Sequence, residues 1–250
     1  MSDEPAVLTT TKGHTAILEL NRPWRRNALD LQDRRELIAA LDGAAQDSDI
    51  VAIVLTGAGP MFSAGGDIRS MPTDPEIARV RLRVLTELVN RLVNGPKPII
   101  SAVEGGAFGL GLSLVAATDF VVASRDSRFA ASFGRLGLVP DTGLFWTLPR
   151  RVGSARAQEL VLLANDFTAE DAVTMGLVTE LVDPGTAVDR ALDLAERLAQ
   201  GSPAMYAAAK GIFAQPNQDL ASILDSEAET QVRMLATEYF SEAQEKFLKR

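Results

Sequence analysis

Pro98-Ile99-Ile100-Ser101-Ala102-Val103-Glu104-Gly105-Gly106-Ala107-Phe108-Gly109-Leu110-Gly111 carries two structural messages in succession. Pro98 to Val103 is a short apolar run stopped by glycines, the pattern of a buried strand. Gly105 to Gly111 is a glycine-rich turn, and residues 110–117 continue it as a helix. The same order recurs upstream. Val51 to Leu55 is a second buried run, followed by the loop Thr56-Gly57-Ala58-Gly59-Pro60. Ile77, Val80, Val84, Leu88 and Leu92 then repeat at helical spacing until Gly95-Pro96. Farther upstream, Thr15 to Leu20 alternates as a strand and ends at Asn21-Arg22-Pro23. Asp30 is placed to cap a helix over 30–46. Downstream, Phe120 to Ala123 is a third buried run.

Strands alternating with helices to about residue 140 predict an α/β fold with a mostly parallel sheet. After Leu148 the pattern turns helical apart from Val178 to Val182, with helices expected over 186–200, 203–214 and 220–249. The expected organisation is an α/β core over residues 1–190 and a helical region over 191–250. That region is amphipathic and too small to hold a core alone, so it must pack on its own core or on another subunit. No repeat at a fixed period is visible.

Composition narrows the chemistry. The chain has 46% hydrophobic and 23% charged residues, as an ordinary globular protein does. It has no cysteine and a single histidine, His14, which sits in the polar lead-in to a strand. Thiolate metal sites, disulfides and a His-based triad are therefore excluded, no metal is expected, and a carboxylate must carry any acid–base chemistry. A formal net charge of −8 argues against a nucleic-acid partner. Met1-Ser2-Asp3-Glu4-Pro5 lacks the segments of a secretory signal, and no apolar run approaches the roughly 20 residues that span a bilayer. A cytoplasmic protein without membrane contact is the expectation.

Two glycine-rich turns can expose backbone N–H groups: Phe62-Ser63-Ala64-Gly65-Gly66-Asp67-Ile68 and the Gly105–Gly111 turn. Neither carries the residues of a phosphate loop. The second opens a helix, where unpaired amides and the helix dipole favour negative charge. Amides converging from both turns would form an oxyanion hole for the enolate of a thioester.

With these turns in view, the chain resembles the enoyl-CoA hydratase/isomerase (crotonase) superfamily over nearly its full length. Leu20-Asn21-Arg22-Pro23 with Arg26-Asn27-Ala28-Leu29 is similar to that family's CoA-gripping motif. Phe62 to Ile68 and Ala102 to Leu114, ending in Ala117-Thr118-Asp119, are similar to its two oxyanion loops. Arg135-Leu136-Gly137-Leu138-Val139-Pro140, Ala169 to Val178 and the Phe247–Arg250 ending also match. The resemblance implies a spiral of ββα-type units with C-terminal helices that assemble a trimer or a dimer of trimers. It implies an acyl-CoA thioester substrate, with coenzyme A entering as part of that substrate and no separate cofactor. It assigns the oxyanion amides to Gly66 and Leu110. It sets Arg22, Arg26 and the backbone around Ala64, Asp67 and Ile68 along the CoA, and brings Lys246 and Phe247 to CoA in a neighbouring subunit.

The departures from the family pattern bear on the reaction. Hydratases of the family use two glutamates, and those positions hold Ser113 and Phe133 here. Without a pair of acid–base groups, water addition loses its main device. Asp141, after Pro140, falls where some isomerases of the family carry a proton-shuttling aspartate. Asp141 could also serve as a helix cap. The surrounding pattern is closest to the branch of phenylacetate-pathway ring-epoxide and enoyl-CoA isomerases. Phe108, Phe133 and Trp146 would make the pocket apolar or simply pack in the core. Asp67 reads as a structural acceptor in the first turn, Ser113 as a substrate contact or a turn cap, and Glu104 as a lesser acid–base candidate. The expected activity is double-bond isomerisation of an enoyl-CoA, with weak hydration or non-catalytic acyl-CoA binding as alternatives.

Overall fold

A computed structural model describes residues 4–215 and 219–249 of the chain. The first sheet has the order β1-β2-β3-β4-β6-β9, formed by Val7–Lys12 (β1), Thr15–Leu20 (β2), Ala52–Gly57 (β3), Ile99–Val103 (β4), Phe120–Ser124 (β6) and Glu180–Val182 (β9). β1 and β2 form an antiparallel hairpin, and every later neighbour is parallel. The second sheet is small, with order β5-β7-β8 from Gly106–Phe108 (β5), Arg128–Ala130 (β7) and Phe167–Thr168 (β8). Single parallel bridges, Leu29 with Gly66 and Ser63 with Ala107, continue this second layer beyond β5.

Those bridges disclose the repeating unit. A strand in the first sheet bends into an extended segment in the second layer and then enters a helix. β2, Leu29 and Leu31–Gln46 (α1) make one such unit; β3, Ser63–Gly66 and Pro75–Asn94 (α2) make the next. β4, β5 and Leu110–Ala117 (α3) make the third. The helices have 16, 20 and 8 residues, so the units have unequal lengths and no fixed period reaches the sequence. A spiral of ββα-type units is what the chain forms.

Side-chain alternation along the parallel strands builds two cores, because successive residues of a strand face opposite sides. Ile53, Leu55, Ile99, Val103, Val121 and Ala123 join the main core with α1, α2 and α3. Ala52, Val54, Ile100, Ala102 and Val122 face the other way, onto Ala187, Ala191 and Ala195 of Ala187–Ala199 (α7). The four-residue spacing of these alanines is one helical stripe, and all three are fully buried. The division drawn at 190/191 falls inside α7, which lies against the core sheet.

The remaining helices are Leu144–Val152 (α4), Ser154–Leu163 (α5), Ala169–Thr174 (α6), Pro203–Phe213 (α8), Leu220–Leu235 (α9) and Glu238–Leu248 (α10). The single helix expected over 220–249 is two: it breaks at Ala236, and the Thr237 side chain caps the next by accepting from Phe240 N. α9 and α10 have no buried residue, and Leu220, Leu224, Val232, Phe247 and Leu248 are exposed. Arg250, the end of the C-terminal match, lies outside the described residues. No helix among the described residues is long and apolar enough to cross a membrane.

The α7 stripe gives a direct test of the second core. Ala191→Leu adds bulk where the helix meets the sheet, and overpacking of this kind costs about 1–3 kcal/mol. A denaturant titration of the variant should show that loss as a lower midpoint.

Candidate active site

The two glycine turns meet backbone to backbone. Ser63 N donates to Gly106 O (3.2 Å), and Phe108 N donates to Ser63 O (3.0 Å). A Cβ on Gly65, where φ is +108°, would stand 2.7 Å from Phe108 O. One on Gly111 would stand 2.6 Å from Ser63 O. Only glycine permits this approach at both places. Side chains hold the first turn from behind. The buried Asn27 donates to Ala58 O (2.9 Å) and Met61 O (2.7 Å) and accepts from Arg22 N (2.8 Å). The buried Ser63 Oγ donates to Asn27 O (2.8 Å) and accepts from Gly65 N (3.1 Å).

This frame leaves two N–H groups free. Leu29 N donates to Gly65 O and Asp67 N donates to Leu29 O, so the bridge uses the residues on either side of Gly66 and not Gly66 N. Leu110 is the first residue of α3, after Gly109 in a left-handed turn (φ +51°) that makes no side-chain cap. Neither Gly66 N nor Leu110 N has a protein acceptor among the described residues. Gly65 brings the turns together here, since its Cβ position is 3.4 Å from Leu110 N. All eight residues of α3 are buried, and the positive end of its dipole lies at Leu110.

An ionic network anchors the first turn to α1. Arg25 pairs with Asp30 (3.2 Å), Asp67 (3.0 Å) and Asp33, and Arg22 pairs with Asp33 (3.3 Å). Burial works against the Asp30 charge, but the Asp33 N–H, Arg25 and the Gln32 N–H outweigh it and hold Asp30 below its ordinary pKa. Burial pushes Asp33 up, and the neighbouring Asp30 charge adds to this, while the Asp30 N–H, Arg25 and Arg22 offset only part. Asp67 also accepts from Arg69 N (3.1 Å), so it serves the turn's structure. Arg22 is committed as well: its Nη1 donates to the carbonyls of Glu4, Pro5 and Asn21. The expectation that Arg22 grips CoA therefore meets a guanidinium already engaged in the fold. Arg26 is exposed and makes no ion pair among the described residues, and Ala64 and the exposed Ile68 flank the turn.

The carboxylates separate cleanly. Glu104 accepts from Gly185 N (3.1 Å) and Ala187 N (3.0 Å), capping α7, whose own N-cap Thr186 makes no capping bond and instead donates its Oγ1 to Asp183 O (2.7 Å). Glu104 Oε1 is thus engaged in the fold, which favours a structural role for this residue. Asp141 is exposed and, among the described residues, accepts only from Thr142 Oγ1 (2.9 Å). The helix-cap alternative for Asp141 fails, because α4 is capped by Gly143 without a side-chain bond. Gly143 packs on Val89 of α2, with its Cβ position 2.9 Å from Val89 Cγ1. Ser113 is fully buried and donates to Gly109 O (3.3 Å), while Phe133 is half-buried against the main core and Phe108 lies over Gly106.

Trp146 does not belong to this group. It lines a cavity of about 510 Å³ with Ala116, Ala117, Tyr206 and Lys210, at the opposite end of α3 from Leu110, and its ring lies under Arg150 at 3.6 Å. Lys246 and Phe247 are exposed on α10, which packs on α9.

One residue of the site escaped the sequence reading. Arg34 is 4% exposed and lies in the buried stripe of α1 with Leu37, Ile38 and Leu41. A Cβ on Gly66 would be 3.2 Å from Arg34 Nη2, and the Asp141 charge acts on the same guanidinium. Arg34 thus stands behind the first turn. The signal was a cation in an apolar helical register.

Comparison with known proteins places this arrangement. The family model for enoyl-CoA hydratase/isomerase matches residues 10–250. The chain belongs to the enoyl-CoA hydratase/isomerase family. Within that family it is 38% identical to 1,2-epoxyphenylacetyl-CoA isomerase of Escherichia coli, over 77% of this chain and 76% of the relative. It is 37% identical to a probable enoyl-CoA hydratase of Rhodobacter capsulatus, over 94% and 91%. The structure of Pseudomonas aeruginosa DspI superposes with a TM-score of 0.94 at 30% identity, covering 100% of this chain and 96% of that one.

The role of Glu104 is open to a two-sided test. Glu104→Ala should lower stability by about 0.5–2 kcal/mol, as loss of a helix cap does. Turnover of an acyl-CoA substrate should stay within about threefold of the parent, against the 10²–10⁴-fold loss expected of an acid–base group.

Proposed function

We propose that this member of the family is an enoyl-CoA isomerase that moves a double bond through a thioester enolate. The observation that carries the reading is the distribution of carboxylates. Ser113 and Phe133 occupy the two positions at which a hydratase needs glutamates, Glu104 bonds the start of α7, and Asp141 has no backbone or ionic bond to hold it among the described residues. One base suffices for isomerisation, whereas water addition requires two acid–base groups.

In this mechanism the thioester oxygen of a 3-enoyl-CoA accepts from Gly66 N–H and Leu110 N–H. The Asp141 carboxylate removes a proton from the α-carbon, and the electron pair delocalises onto the thioester oxygen and across the double bond. Two fixed amides and the α3 dipole stabilise that charge without reorganisation. Protonated Asp141 then returns the proton at the γ-carbon, giving the 2-enoyl-CoA and restoring the carboxylate. Phe108 and Phe133 supply apolar walls. Coenzyme A is part of the substrate, and Arg26 suits its phosphates through charge-assisted hydrogen bonds.

The unburied faces of α9 and α10 favour a homotrimer or a dimer of trimers, which would also carry Lys246 and Phe247 to a neighbour's CoA. Exposed apolar side chains at this density mark interaction surfaces. Light scattering at micromolar concentration should give a trimer or hexamer mass, and a monomer would refute the assembly.

Asp141→Asn tests the chemistry. The amide is nearly isosteric but cannot accept an α-proton, so isomerase turnover on 3-enoyl-CoAs should fall by about 10²–10⁴-fold. Exchange of the α-protons with deuterated solvent should fall in step, while acyl-CoA affinity is retained. Exchange at the parental rate would exclude Asp141 as the base. Rapid hydration of crotonyl-CoA by the parent protein would favour the hydratase reading instead.

A further inference from the structure

Thr142 follows Asp141 directly, and its side chain is fully buried while Asp141 is exposed. The core holds the backbone on both sides of the pair. Pro140 and Leu144 are buried, and Gly143, in a left-handed turn (φ +64°), packs against Val89 of α2. The carboxylate itself is less restrained, because rotation about the bond to a carboxylate is soft. Among the described residues one hydrogen bond fixes it, from Thr142 Oγ1 to Asp141 Oδ1 (2.9 Å), and Oδ2 has no donor.

A hydroxyl on a wholly buried side chain needs a partner, since an unpaired one costs free energy that the methyl of valine in the same place would not. The ordinary use of a threonine beside a helix start is to cap it. Here α4 has Gly143 as its N-cap and no side-chain cap, and Thr142 makes no bond to its first turn among the described residues. The single hydroxyl proton goes to Asp141 instead. Branching at Cβ makes threonine stiff at χ1, so packing of the buried methyl also fixes the direction of the hydroxyl.

We propose that Thr142 is the positioning residue of the base: it pins Oδ1 of Asp141 so that Oδ2 takes the α-proton and returns it at the γ-carbon. In the first step the α C–H bond breaks, an Oδ2–H bond forms and the electron pair passes to the thioester oxygen. In the second step the Oδ2–H bond breaks and the proton joins the γ-carbon as the enolate collapses to the 2-enoyl thioester. Both carbons must stay within reach of one oxygen, which a freely turning carboxylate does not ensure. The bond to Oδ1 persists through both steps, because that oxygen neither gains nor loses a proton. The inference rests on Asp141 being the base of the proposed isomerase.

Thr142→Val and Thr142→Ser separate positioning from packing, because they remove different halves of the side chain. Val keeps the buried shape and deletes the hydroxyl, whereas Ser keeps the hydroxyl and leaves a small cavity in place of the methyl. With 3-hexenoyl-CoA, turnover and α-proton exchange with deuterated solvent should both fall about 10–100-fold in Thr142→Val, with KM within about twofold of the parent. Thr142→Ser should recover most of the rate, although its denaturant midpoint lies below that of Thr142→Val. A threonine that only packs gives the reverse order, with Ser the slower variant, and that order would overturn the proposal. Exchange at the parental rate in folded Thr142→Val would overturn it too. Should the Val variant not fold, Thr142→Ala and Thr142→Ser differ only in the hydroxyl, and equal rates in these two would count against the proposal in the same way. Failure of the isomerase reading has its own signature, α-proton exchange at the parental rate in Asp141→Asn. Loss of exchange in Asp141→Asn beside parental exchange in Thr142→Val keeps the base and removes only the role of Thr142.

Discussion

The contact between Ser63 and the Gly106–Gly111 turn is the constraint on which the rest of the site depends. Two loops from separate ββα units approach until carbonyl oxygens lie where a Cβ would otherwise be, and glycine at 65 and 111 makes this possible. Glycine costs conformational entropy in the folded chain. The structure offsets that cost with hydrogen bonds through the second layer and with Asn27 and Ser63, both fully buried and both bonded to backbone groups of the loops they join. Free amides at Gly66 and Leu110 follow from this geometry, because neighbouring residues consume the local acceptors.

The ionic cluster behind the first turn belongs to the same construction. Arg22 and Arg25 meet Asp30, Asp33 and Asp67, which ties α1, the 22–29 turn and the first glycine turn into one rigid piece. Such a buried network is weak evidence for stability, since desolvation offsets much of the attraction. Its geometric effect is firmer: Asp67 and Arg22 are held in place by partners within the fold. Glu104 Oε1 is engaged in the same way by the start of α7. Carboxylates that look equivalent in a list of residues become unequal once their partners are known, and Asp141 is left with a single hydroxyl donor.

Arg34 shows how a site can be tuned from the core outward. It occupies a register that Leu or Ile would fill in an ordinary amphipathic helix, and it places positive charge behind the turn that supplies Gly66. It makes no ion pair among the described residues and donates to Leu29 O.

Periodicity and turn residues were enough to read strands at 15–20, 51–55, 98–103 and 120–123, which the fold forms at 15–20, 52–57, 99–103 and 120–124, together with the helix capped by Asp30 and the two glycine turns, because these signals are local. The strands at 7–12, 106–108 and 128–130 were not legible, since segments of three residues, or with one exposed face, carry too little pattern. The positions of Gly66, Leu110 and Asp141 were readable through a family resemblance, and the absence of glutamate at 113 and 133 was visible directly. Which groups are free could not be read. That Glu104 bonds the start of α7 81 and 83 residues away, that Arg22 is spent on the chain's own carbonyls, and that Trp146 turns toward α8 all depend on long-range packing. Residue identity fixes what a group can donate or accept; only the folded chain determines which partner reaches it first.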